Sequence, residues 1–188
     1  MSILLLGLIL FLGVHSVRLF GDGWRDRTIA RVGEARWKGV YTVISIIGLV
    51  LIVWGYGQAR QSPVEIWLPP PALRHLTSLF TLLAFILLAA AHGPGNHIRS
   101  SLRHPMTIGV LLWALGHLLA NGMLADITLF GSFLLWALLV LRAARRRKRH
   151  RPRHRRWPEI CRLSWAVRWW AVFAIWLHGP LIGVAVTP

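Results

Sequence analysis

Apolar residues in this chain fall into long unbroken runs rather than alternating ones. The runs are Ile3 to Phe20, Val40 to Gly57, Leu73 to His92, Pro105 to Asn121, Leu124 to Leu141 and Leu163 to Val186. Each holds roughly 17 to 24 residues, about what a helix rising ~1.5 Å per residue needs to cross ~30 Å of hydrocarbon. No segment alternates with period two as a barrel strand does, and a bilayer core admits only helices or closed barrels. The pattern predicts an all-α polytopic membrane protein with six transmembrane helices. Only the Asn121-Gly122-Met123 turn separates the fourth run from the fifth, so these two are expected to form a tight antiparallel hairpin. The fourth run is the marginal one. The prolines of LPPPALRH, Leu68 to His75, stop the chain before the third helix.

Composition agrees with this reading and charge refines it. Of 188 residues, 55% are hydrophobic and only 15% charged, with mean hydropathy +0.55, which is unlike a soluble domain. The net charge of +16 would by itself suggest nucleic acid, but 12 of the 22 Lys and Arg lie between Arg142 and Arg168. The basicity is therefore a local segment, and no nucleic-acid partner is expected. With the amino terminus outside, the inner segments Arg18 to Lys38, Arg99 to Arg103 and Arg142 to Arg168 hold 6, 2 and 12 basic residues, and the outer ones hold only Arg60 and Arg74. That partition obeys the positive-inside rule and puts both termini on the outer side. The first eight residues carry no basic side chain and no small-x-small cleavage site precedes the charged loop, so the first helix is expected to stay in the mature protein. The chain reads as one domain, 1–188, containing an Arg-rich cytoplasmic loop at 142–162. Within it Arg142 to Arg156 (RAARRRKRHRPRHRR) should be a flexible loop on the anionic inner leaflet of the lipid bilayer. Trp157, Trp165, Trp169 and Trp170 follow where an interfacial aromatic belt belongs.

The single cysteine, Cys161, excludes a disulfide framework and any Cys-based zinc or iron–sulfur cluster. Nine histidines are the unusual count. An imidazole inside hydrocarbon is costly and needs a reason. Counted from the inner face, His15 lies ~12 Å deep, His117 ~18 Å and His178 ~22 Å, whereas His75, His92 and His104 fall at the interfaces. Two imidazoles facing each other across a helix bundle can hold a haem iron, and depth alone does not choose the pair among these three. Arg18 follows His15 by three positions, where it can meet a haem propionate. Asn121 follows His117 by four and shares its face, although a carboxamide there equally caps a helix end. His104 and His117 are 13 positions apart, about 220° around and about 20 Å along one helix, so they cannot share a metal. In GPGNHIRSSLRHPMTIG, the basic residues Arg99 and Arg103 with His104 and Pro105 at a helix start make a candidate anion or cofactor site, or simply an inner loop obeying the charge rule.

Four stretches resemble the NnrU family, bacterial inner-membrane proteins linked to denitrification. They are LFLGVHSVR (Leu10 to Arg18), WKGVYTVISIIGLVLIVWGYGQAR (Trp37 to Arg60), LRHPMTIGVLLWALGHLLANGMLADITLFGSFLLWALL (Leu102 to Leu139) and WLHGPLIGV (Trp176 to Val184). The resemblance implies a place in nitrite and nitric oxide reduction. It extends remotely to plant zeta-carotene isomerase, a haem b membrane enzyme, and by that likeness His15 and His117 would be the haem ligands; the depth count leaves His178 as the substitute. Two departures stand out: Leu111 or Leu112 occupies a place where many members carry lysine, and the Arg-rich loop is heavier than the family's.

The leading expectation is thus an inner-membrane protein binding haem b between His15 and His117, with Arg18 and Asn121 beside them, and with isomerase-like or nitrogen-oxide-related activity left open. A second reading takes RHPMTIG as resembling the RHPxYxG element of isoprenylcysteine-methyltransferase-like enzymes. Thr107 replaces its tyrosine and Glu159 lacks the second acid that such a site uses. A third is a non-enzymatic assembly or regulatory subunit of a respiratory reductase, which Arg142 to Arg156 would engage.

Overall fold

The computed structural model of the chain describes residues 1–91, 97–146 and 167–173. Those residues form helices α1 Ser2–Phe20, α2 Asp22–Val32, α3 Glu34–Ala59, α4 Leu73–Ala91, α5 His97–Leu102, α6 Pro105–Ala120 and α7 Leu124–Arg146, with a further short helical segment within 167–173. Extended pairing among the described residues is limited to one isolated antiparallel bridge between Glu65 and Met123. The all-helical architecture is as the apolar runs require.

Among the described residues, three to four helices, not six, are long and apolar enough to span a membrane. Three helices, Glu34–Ala59, Leu73–Ala91 and Leu124–Arg145, are long and apolar enough to cross a membrane, and a fourth joins them if α1 and α2 are one broken span. Two local features bear on this. Between Val17 and Asp22 the chain turns through 85°, where the apolar run gives way to the polar sequence DGWRDR. The fourth run yields a helix of only 16 residues, fixed at its start by Pro105 and ended by Asn121 and Gly122. At ~1.5 Å per residue that is about 24 Å, short of the hydrocarbon thickness. The sixth run, Leu163 to Val186, lies outside the described residues except at 167–173. The helix α7, conversely, carries its turns beyond Leu141 through Arg146. Ala143 and Ala144 favour helix, and cations suit a helix carboxyl end. The rest of the Arg-rich segment lies outside the described residues.

Helices α1 and α3 run antiparallel and approach until their backbones touch. A methyl group on Gly7 would stand 2.6 Å from the Ile52 nitrogen, one on Gly48 would stand 2.9 Å from the Phe11 nitrogen, and one on Gly55 would overlap the Leu4 backbone. Small residues at such positions let apolar helices gain dispersion contact where hydrophobic transfer gives no drive. The antiparallel pair α4 and α6 uses the same device, with Gly109 against the Ala84 carbonyl and Gly116 against Phe80, and the Thr77 hydroxyl donating to the Gly116 carbonyl at 2.7 Å. Helix α7 packs on both α1 and α6 and so joins the two pairs. The shared core is Leu4 and Leu8 from α1, Ile52 and Tyr56 from α3, Ala114 from α6, and Ala125, Leu129 and Phe130 from α7.

On the outward side of α3, Val43, Ile46, Val50, Val53 and Trp54 are each more than half exposed. An apolar outer face of that length is what lipid tails cover. Ring contact between His15 and Tyr41, and the bond from Trp136 to Ser16, bring the end of α1, the start of α3 and the end of α7 to one end of the bundle. The start of α6 joins them. Arg25, Arg27, Arg31, Arg36, Lys38, Arg103, Arg142 and Arg145 therefore gather at one end, and Arg60 and Arg74 sit at the other.

Candidate functional site

His15 sits one turn after Phe11 on α1, and its ring orientation is fixed. Nδ1 lies 2.7 Å from the Phe11 carbonyl oxygen. A carbonyl only accepts, so in the neutral ring the proton belongs on Nδ1 and the lone pair on Nε2. The imidazole stacks on Phe11 at 4.3 Å and 29°, with Tyr41 at 5.3 Å and the edge of Trp136 at 6.4 Å. Trp136 is held in turn: its Nε1–H donates to the Ser16 hydroxyl at 3.1 Å, which donates to the Leu12 carbonyl at 2.6 Å.

His117 repeats the local arrangement on α6. It follows Trp113 by one turn and meets it edge-on at 5.5 Å, while lying flat on Phe130 at 4.4 Å and 12°. The Asn121 side-chain amide donates to the His117 main-chain carbonyl at 2.8 Å and its backbone N–H to the same oxygen at 2.9 Å, which closes the end of α6. The two histidines are linked by rings. Phe11 meets Phe133 at 5.9 Å, Phe133 meets Trp113 at 5.4 Å, and Trp113 meets Phe130 at 5.0 Å. One aromatic cluster thus spans α1, α7 and α6, with His15 and His117 on its borders.

Among the described residues no three His, Cys, Asp or Glu side chains converge to hold a bare metal ion. A haem asks less of the protein, because the macrocycle supplies four nitrogens and needs only one or two axial ligands and apolar walls. His15 fits that demand: its Nδ1 is anchored on a backbone carbonyl, as in most metal-bound histidines, and its Nε2 is left to donate. Phe11, Tyr41 and Trp136 are suitable walls.

Several of these partners were not singled out by sequence reasoning, yet a signal was present. Both histidines carry an aromatic residue four positions before them, Phe11 and Trp113, and Phe130, Phe133 and Trp136 recur at three-residue spacing on one side of α7. His178 lies outside the described residues, as do the side chains of Arg18 and Arg99. Arg103 is exposed in the left-handed conformation, φ 57°, where α5 turns into α6, and His104 occupies the position before Pro105 at the α6 start. Both lie at the end of α6 opposite Asn121.

A second polar group lies at the other end of the bundle. Asp126, in the first turn of α7, is 5% exposed and accepts a hydrogen bond from the Tyr56 hydroxyl across α3 and α7. Its second oxygen accepts from the Met123 N–H at 3.3 Å, a side chain reaching back to cap its own helix. The loop before α4 is clamped here: Ile66 N–H donates to the Gly122 carbonyl at 2.9 Å and Leu124 N–H to the Val64 carbonyl at 2.8 Å. Any side chain at position 122 would overlap the Trp67 carbonyl. An open cavity of about 270 Å³, lined by residues including Arg60, Ser62, Val64 and Met123, adjoins this clamp.

A protein-family model described as NnrU protein matches residues 3–186, nearly the whole chain. No curated protein and no solved structure matches it.

Proposed function

The chain belongs to the NnrU family, and on that premise we propose that it is a multi-pass protein of the bacterial inner membrane that binds haem b through His15 and His117. In this reading it supports nitrite and nitric oxide reduction. The basic end of the bundle faces the cytoplasm, by the positive-inside rule, and the amino terminus lies outside. The observation that carries the haem assignment is the Phe11 carbonyl on His15 Nδ1, which sets the tautomer and aims the ligand lone pair. When bound, the haem would supply an iron able to cycle between two oxidation states. His15 binds it and keeps its ring angle. His117, stacked on Phe130 and Trp113, contributes the second imidazole. The rings of Phe11, Phe133 and Trp136 exclude water and lower the local dielectric.

Oxidised and reduced absorption spectra of the purified protein test this directly. The expected result is a Soret band that His15→Ala abolishes and that His117→Ala or His178→Ala shifts, identifying the second ligand. Protein that shows no Soret band even after haem supplementation would overturn the assignment.

A further inference from the structure

The 85° turn after α1 sets α2 nearly perpendicular to it. With 11 residues, three of them Arg and two Asp, α2 is both too short and too polar to cross hydrocarbon. Set at nearly a right angle to α1, it lies close to the plane of the membrane if α1 runs along the normal. Asp22, Arg25, Thr28 and Ile29 are half-buried, and α2 packs against α1 and α3. Trp24, Arg27 and Arg31, spaced i, i+3 and i+7, share the outward face and are all exposed. Trp24 meets Trp37 edge-to-face at 5.6 Å and is still 54% exposed.

Over residues 22–38 five basic side chains stand against three acidic ones. Arg25 pairs with Asp26 and Lys38 with Glu34. Arg27, Arg31 and Arg36 are exposed and have no carboxylate partner among the described residues. They stand at the same end of the bundle as Arg142 and Arg145. An indole beside exposed guanidinium groups, on a short helix perpendicular to a span, matches the headgroup layer chemically: the ring suits the acyl boundary, and guanidinium forms bidentate bonds to phosphate.

We propose that α2 is an interfacial helix that lies flat in the headgroup layer and that its Arg27 and Arg31, together with Arg36 from the first turn of α3, bind the phosphates of anionic phospholipids, with Trp24 as the anchor. This rests on the membrane reading and not on haem. Colourless protein would sink the haem assignment and leave this intact, whereas a chain that purifies without detergent or lipid would sink the membrane reading itself.

The test uses the full chain with Cys161→Ser and a bimane probe on Ala30→Cys, an exposed position beside Arg27. It is reconstituted in nanodiscs of phosphatidylcholine alone or with phosphatidylglycerol, and quenching by aqueous acrylamide is read. Protection should be several-fold greater with phosphatidylglycerol, and R27Q/R31Q/R36Q should return it to the phosphatidylcholine value. These side chains are exposed, so the triple variant should fold, as its elution from gel filtration will show. Equal quenching in both lipids, or protection that survives the triple substitution, would overturn the proposal. Protection by inorganic phosphate in detergent would also overturn it, by assigning the arginines to a soluble anion.

Discussion

At the residue scale, the informative side chains are polar atoms in an apolar setting, since each must have a partner or a task. Asp126 has partners: the Tyr56 hydroxyl and the Met123 N–H satisfy its two oxygens. Tyr56→Phe removes one donor from a buried carboxylate and should cost roughly 1–3 kcal/mol, seen as a lower unfolding temperature in detergent. His15 has Nδ1 engaged by the Phe11 carbonyl, so the neutral ring carries its lone pair on Nε2 rather than on Nδ1. That difference was not legible in the sequence. The spacing of Phe11 and His15 shows that they share a helix face, but only backbone and ring geometry together fix the tautomer.

The closest dependence on single positions comes from the way the helices pair. Gly7, Gly48 and Gly55 exist as glycines because the facing backbone occupies the space of a Cβ. Gly55→Val should separate α1 from α3 and destabilise the protein by about 1–3 kcal/mol or more. Gly57, two residues on, has nothing within 4 Å of such a Cβ, and Gly57→Ala should stabilise α3 slightly through backbone entropy. Thermal denaturation of both variants checks this contrast; equal effects would mean that the helices do not meet through Gly55. The apolar runs marked the helices well. Their ends were less legible, because helix length depends on local terms such as the Glu34 and Lys38 pair at the start of α3 and Pro105 at the start of α6. Those terms do not appear in a hydropathy pattern.

Across the whole molecule, the bundle sorts charge by end, and the membrane should read that sorting as orientation. In a Cys161→Ser background, Ser62→Cys should react with an impermeant maleimide in intact cells, and Gly39→Cys only after the membrane is opened. The reverse pattern would invert the assignment. Deleting residues 147–156 tests whether the Arg-rich segment engages a respiratory reductase. In-cell nitric oxide reduction should fall if it does, and if activity and co-purification both survive unchanged, the segment has no such role. By itself the sequence determined the helical class, the family and the segregation of basic residues, because each is a sum over many positions and tolerates local error. Tertiary structure decided which of the described helices are long enough to span, that α2 turns aside, which rings surround His15 and His117, and that Tyr56 satisfies Asp126. Those outcomes depend on a few close contacts between residues far apart in the chain, and no run of neighbouring residues encodes such distances.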